Sequence, residues 1–251
     1  MGAAPAWFTL CLTLPACSAE WLERFCQGMG ELMRQHPVTL IGGDTTRGAL
    51  SLSIQAMGLV DQGHALLRSG AQPGDDIYVS GVIGEAGIGL QLVQQQIPLV
   101  DDARQVAVQH LNRPQPRIAL GQALVGLATA CIDVSDGLLA DLGHILGRSG
   151  VGARIDPVSV PIADALRNEH LLEQLGWQDR SLVAARQFAL TAGDDYELCF
   201  TALPSLRAAI DQLSRQLDLP LTRIGVITET PGLVNAASGE AIATRRGYTH
   251  F

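Results

Sequence analysis

The stretch Cys131–Leu142, CIDVSDGLLADL, sets two carboxylates and a hydroxyl at a strand-to-helix corner. Ala128 to Val134 reads as a short apolar strand. Leu138, Leu139, Leu142, Ile145 and Leu146 then recur at the spacing of one buried helical face. The period therefore switches between Asp133 and Gly137. Ser135 or Asp136 is suited to cap the new helix, and Gly137 permits close approach of another group to the backbone. Asp133 and Asp136 repel one another unless a cation lies between them, and a hard divalent ion such as Mg²⁺ with a phosphate beyond it is the natural occupant. Helix capping alone explains an isolated D-x-S-D-G equally well.

The chain has 251 residues, 47% of them hydrophobic, enough for one large or two modest domains. A formal net charge of -8 argues against a nucleic-acid groove or an anionic membrane surface as partner. All 17 basic residues are arginine. Without lysine there is no Walker A loop, no protein-kinase strand lysine and no Schiff base. Any use of ATP must follow another design. Cys11, Cys17, Cys26, Cys131 and Cys199 lie in apolar surroundings with no C-x-x-C pair, which predicts buried reduced thiols and a cytoplasmic protein. Trp7 to Ala16 superficially resembles a leader, but no basic residue precedes Arg24, so it reads as a strand closed by Pro15. No apolar run reaches the roughly 20 residues of a membrane span.

From the N-terminus, the pattern predicts a strand over Ala6 to Leu14 and an amphipathic helix capped by Ser18 over Ala19 to Gln35. A strand over Val38 to Ile41 follows, ending in a glycine-rich turn, GGDTTRG (residues 42 to 48), before a strand over Ser51 to Val60. Asp75 and Asp76 read as turn residues ahead of a strand over Ile77 to Ser80. Gly81 to Gly89 misses the G-x-G-x-x-G spacing and reads as strand end and helix start. Helices are expected over Ala86 to Gln96, Asp101 to Leu111, Ile118 to Ala128, Ile162 to Leu175 and Leu203 to Leu217, with RPQPR (113 to 117) a stiff connector. Strands are expected over Gly152 to Ile155, over Tyr196 to Phe200 after Asp194 and Asp195, and over Arg223 to Thr228.

Asp44, Asp133 with Asp136, and Asp194 with Asp195 thus form three acidic corners in a chain without lysine. Carboxylates from several strand ends suggest a multi-metal phosphate site and phosphoryl transfer or hydrolysis. The spacing Asp133-Val134-Ser135-Asp136 does not fit the aspartate pair of haloacid dehalogenases.

Four motifs in order, GGDTTRG, RSGAQPGD, IDVSDGLLADLGHI and GDDYELCFT, with the ending GYTHF, resemble the thiamine-monophosphate kinase family over nearly the whole chain. The resemblance implies an α/β (α+β) protein with the two-domain aminoimidazole ribonucleotide synthetase-like fold. It implies transfer of the ATP γ-phosphate to thiamine monophosphate with several Mg²⁺ ions, and a homodimer. Carried over by position, Asp44, Asp133 and Asp136 would ligate metal. Gly43, Asp44, Arg68 and Ser135 would contact the nucleotide. Asp194, where the family often has glutamate, and Tyr248 would contact thiamine phosphate. Members of the family carry a further acidic segment ahead of the part that matches Met1, so the chain reads as N-terminally incomplete. Residues 1–62 would be the remainder of a nucleotide- and metal-binding domain and 63–251 the C-terminal α+β domain. An inactive remnant that binds nucleotide or dimerises, or a relative with another acceptor, remains an alternative at this stage.

Overall fold

The computed structural model describes residues 2–242, so Tyr248 lies outside the described residues. The chain divides into two compact units, Gly2–Ala65 and a second from Leu66 onward.

The first unit is built on β1 (Ala4–Leu14), α1 (Ala19–Gln35), β2 (Thr39–Arg47) and β3 (Ser51–Leu59). β1 is central, parallel to β2 and antiparallel to β3. Phe8, Leu12 and Leu14, which share one face of β1, are its buried apolar side chains among the described residues. The α1 span is the one expected. Its first turn is closed by Ser18, whose hydroxyl accepts from the Trp21 amide.

The glycine-rich turn expected at residues 42 to 48 is instead the body of β2. Phe8 pairs with Leu40 but Thr9 with Gly42, so Ile41 is a bulge, after which Gly43 faces Leu10 and Asp44 faces Cys11. Gly43 has φ 147, and a Cβ there would stand 1.8 Å from the Leu10 carbonyl oxygen. Glycine is required for strand contact rather than for a turn. The thiols also depart from expectation: Cys11, Cys17 and Cys26 are exposed, while Cys131 and Cys199 are buried. Burial pushes the Cys131 thiol up to about 12 and that of Cys199 well above its ordinary range, leaving both un-ionised.

The second unit contains β4 (Asp76–Ser80), α2 (Glu85–Gln94), α3 (Asp102–Asn112), α4 (Ile118–Ala123) and β5 (Ala128–Asp133). These are followed by α5 (Leu138–Ser149), β6 (Gly152–Ile155), α6 (Glu169–Gln174), α7 (Leu182–Thr191), β7 (Leu198–Ala202), α8 (Arg207–Leu217), β8 (Leu221–Thr228) and β9 (Gly232–Asn235). Among the described residues the strands form one sheet in the order β5-β7-β4-β8-β6-β9, antiparallel except at β6/β9. Side chains alternate across it. Ile77, Val79, Ala130, Ile132 and Cys199 join one core with residues of α2, α5, α6 and α7. Tyr78, Cys131 and Phe200 point the other way, into a smaller core with α4 and α8, where the Tyr78 and Phe200 rings stack at 5.2 Å. Helices thus cover both faces of the sheet.

Several expectations change here. The helix expected over Ile162 to Leu175 is a 3-10 turn, Asp164–Arg167, and a separate α6, because the Asn168 side chain accepts from the Leu171 amide and starts a new helix. The helix at Ile118 stops at Ala123, and the one expected from Leu203 opens with a 3-10 turn, Pro204–Leu206. α7 and β9 were not anticipated. Asp75 closes a turn as expected, its amide donating to the Gln72 carbonyl at 3.0 Å, but Asp76 opens β4, and both are buried. Burial pulls Asp76 upward, but Arg207 and Arg223 outweigh it and hold the carboxyl below its usual range.

Two buried carboxylates fix the strand ends. Asp195 accepts from the Gly84 and Ala86 amides at 2.7 and 3.1 Å, capping α2 from another part of the chain. Glu197 accepts from both arms of the Arg117 guanidinium and from the Ser80 hydroxyl, tying the RPQPR connector to the end of β4.

Two tests follow from these carboxylates. Burial pushes Asp195 up to about 7 despite its two amide donors. The folded protein then holds a proton that the unfolded chain releases above about pH 4. The stability contributed is full below about pH 4 and is lost as pH rises to about 7, with a slope of about 1.4 kcal/mol per pH unit. Urea midpoints across that window should show the slope in the native chain and a flatter one in Asp195→Asn; equal slopes would refute the assignment. Arg117→Met leaves Glu197 buried and unpaired, and chemical denaturation should show a loss of about 3–5 kcal/mol. An unchanged midpoint would mean the pair is not needed.

Candidate active site

β5 pairs with β7 as far as Asp133 opposite Leu198, and the pairing continues into the two acidic loops beyond. The Val134 amide donates to the Glu197 carbonyl at 2.8 Å, the Tyr196 amide to Val134 at 2.9 Å, and the Asp194 amide to Ser135 at 2.9 Å. A Cβ at Gly193 would lie 2.4 Å from the Ser135 carbonyl oxygen, and one at Gly137, where φ is 110, would lie 2.7 Å from that of Thr191. Glycine at both places lets the loops lie against each other.

Along the second loop the side chains alternate. Asp194 and Tyr196 face a cavity, whereas Asp195 and Glu197 are buried. Asp194 and Tyr196 take left-handed backbone, φ 68 and 51, which for a non-glycine residue costs of order 1 kcal/mol and is typical of segments held for function. Tyr196 was expected to begin the strand, but β7 starts only at Leu198. Burial raises the Tyr196 phenol above its ordinary value, and the charges of Asp194, Asp133 and Asp136 raise it further.

The capping expected of Ser135 or Asp136 is also reversed. Gly137 occupies the cap position of α5. The carboxylate of Asp141, in the first helical turn, reaches back to accept from the Ser135 and Asp136 amides at 2.8 and 3.0 Å. It is buried, and burial raises it above the ordinary range although those two amides pull it down. Asp141 therefore holds the loop and leaves the side chains of Ser135 and Asp136 free to face the cavity. Its position in the first helical turn was the available signal, since acids there serve the free amides.

The cavity has a volume of about 1160 Å³. Ser135, Asp136 and Asp194 share its wall with Tyr196, Phe188 and Gln91. Asp133 sits beside them at the exposed end of β5. Arg68 is exposed on the segment that runs along the outer edge of β5, where the Cys131 amide donates to the Leu67 carbonyl. Gly43 and Asp44 belong to the other unit, within β2, and Asp44 is exposed with one carboxylate oxygen accepting from the Thr45 amide at 2.8 Å. Among the described residues, no three of His, Cys, Asp and Glu are gathered as a ready-made metal cage. Asp133 and Asp136 nonetheless offer hard oxygen donors, and Mg²⁺ commonly takes one or two carboxylates together with phosphate oxygens and water. The donor set fits that ion.

Residues 1–60 match the family described as AIR synthase related protein, N-terminal domain, and residues 72–235 match AIR synthase related protein, C-terminal domain. The thiamine-monophosphate kinase of Escherichia coli is 45% identical over 255 residues, spanning 100% of this chain and 75% of that protein. That of Haemophilus influenzae is 40% identical over 256 residues, with the same shares. Among solved structures, thiamine-monophosphate kinase from Stenotrophomonas maltophilia superposes with a TM-score of 0.86 at 51% identity, over 96% of this chain and 74% of that one. AaThiL complexed with AMPPCP and TMP superposes with a TM-score of 0.80 at 26% identity, over 100% and 75%. Escherichia coli HypE, a hydrogenase maturation protein, shares the fold with a TM-score of 0.75 at 19% identity. With both halves matched to AIR synthase related domains and full-length identity of this order, the chain belongs to the thiamine-monophosphate kinase family within the AIR synthase-related fold.

Proposed function

We propose that this chain transfers the γ-phosphoryl group of ATP to thiamine monophosphate, giving thiamine diphosphate and ADP. The observation that carries the reading is the single cavity in which Asp136, Ser135 and Asp194 meet the rings of Tyr196 and Phe188. Thiamine monophosphate needs both characters. Its thiazolium is a cation, for which a carboxylate and π faces are suitable neighbours, and its phosphate is an anion that needs charge neutralisation nearby. The complex of AaThiL with AMPPCP and TMP supports the same pair of ligands.

Asp133 and Asp136 would hold Mg²⁺, which when bound neutralises charge on the phosphates of donor and acceptor. Ser135, on a loop whose amides are fixed by Asp141, would contact the nucleotide, and Arg68 would meet its phosphates as a fixed cation. Gly43 and Asp44 would contribute from the first domain, taken as residues 1–62, the remainder from 63 forming the second. Asp194 would orient the acceptor so that a phosphate oxygen attacks the γ-phosphorus while the bond to the β-phosphate oxygen breaks. No covalent intermediate on the protein is needed, since alignment and charge neutralisation carry the reaction. Tyr248 would pack on the substrate rings.

We also propose a cytoplasmic homodimer. Among the described residues both outer strands of the first sheet, β2 and β3, have an unpaired edge, and Ile41, Leu52, Ile54 and Leu59 are exposed on them. A second copy supplies a partner for these edges. No described helix is long and apolar enough to cross a membrane.

The direct test is ADP formation with ATP and Mg²⁺, with and without thiamine monophosphate. A rate that depends on thiamine monophosphate and is abolished by chelating the metal is expected; equal rates with and without it would refute the acceptor. Asp133→Asn should lower kcat by about 100-fold or more with little change in Tm, and retained turnover would remove Asp133 from the site. Asp194→Asn keeps a residue that tolerates left-handed backbone, so the loop should survive. Its KM for thiamine monophosphate should rise about tenfold or more while that for ATP stays put.

A further inference from the structure

One wall of the cavity is a face of α2, where Gly87, Leu90, Gln91 and Gln94 recur at i, i+3, i+4 and i+7. Gln91 is the member of this face whose amide is held. The indole Nε1–H of Trp177 donates to its Oε1 at 2.9 Å. Indole nitrogen can only donate, so the contact fixes which end of the amide is which. The oxygen is engaged, so the NH₂ group is the end of this cavity-lining side chain that can donate. Trp177 is itself held by the ring of Phe188, packed edge-on with centroids 5.1 Å apart and planes at 63°. Phe188 also lines the cavity, so the indole is fixed from the substrate side as well as by α2.

We infer that Gln91 is a specificity-determining residue that reads the pyrimidine of the acceptor, donating its amide N–H to a ring nitrogen, and that Trp177 is the positioning residue that holds the donor in place. The inference rests on the proposed substrate. With the phosphate toward Asp136 and the thiazolium beside Asp194, the remaining chemical feature of thiamine monophosphate is an aminopyrimidine whose ring nitrogens accept hydrogen bonds. The cavity wall formed by α2 offers an oriented donor for it. A site built to pair a polar group discriminates strongly against analogues that lack it.

The test is calorimetric titration of thiamine monophosphate, in the presence of Mg²⁺, into the full chain and three variants. A second ligand is an analogue with both pyrimidine ring nitrogens replaced by C–H. Gln91→Glu keeps the size and the acceptor for Trp177 but has no donor, and Kd should rise about tenfold or more. Gln91→Leu should bind the natural ligand and the analogue alike, whereas the native chain should prefer the natural ligand by about tenfold. Trp177→Phe keeps an aromatic ring against Phe188 and should lose most of that preference, which a merely structural role would not touch. Melting temperatures of the variants establish that each is folded. If Gln91→Glu and Trp177→Phe bind within about twofold of the native chain, or if the preference survives in Gln91→Leu, the inference is overturned while the substrate assignment stands. If the native chain binds no thiamine monophosphate, both fall.

Discussion

The pairing of β5 with β7, and its continuation through the Val134, Tyr196 and Asp194 amides, is the constraint on which the site depends. The paired residues come from distant parts of the chain. Each of the two loops carries carboxylates, and bringing them together costs Coulomb repulsion as well as loop entropy. The backbone bonds between the loops, available because Gly193 and Gly137 have no side chain, fix the geometry that the charges oppose.

The charges themselves are sorted by direction. Asp195 is turned into the amides that open α2, Glu197 into Arg117 and Ser80, and Asp141 into the amides of the first loop. Each buried carboxylate meets donors fixed by the fold, as burial of charge requires. Asp136 and Asp194 instead face the cavity, and Asp133 lies at the exposed end of β5. A chain without lysine carries its positive charge as arginine, whose planar fork suits fixed carboxylate partners such as Glu197 and Asp76.

How much of this was legible in the sequence differs from one segment to the next. CIDVSDGLLADL was read correctly as strand followed by helix, because a two-residue period and a 3.6-residue period meet there with few competing interpretations. The span of α1 was legible for the same reason, with Ser18 as a local cap. GGDTTR was misread because glycines signal turns in local sequence, while the reason for Gly43 lies in Leu10, on a strand more than thirty residues away. Tyr196 was misplaced because an alternating pattern cannot reveal that two of its members stand in left-handed backbone. Asp136 and Asp194 carried a motif signal, but Asp141, Glu197 and Arg117 act through contacts that exist only after the chain has folded. Gln91 had no signal beyond its place on an amphipathic face, and its orientation comes from Trp177, on a different segment.

The proposed function requires the acceptor to bind where the two paired loops border the cavity. Amide hydrogen exchange of the full chain, read peptide by peptide with and without saturating thiamine monophosphate and Mg²⁺, tests it without requiring turnover. Slowed exchange is expected over residues 133–137 and 193–197 and along α2, with β6 and β9 unaffected. Slowing confined to β6, β9 or α8, with the paired loops unchanged, would contradict it.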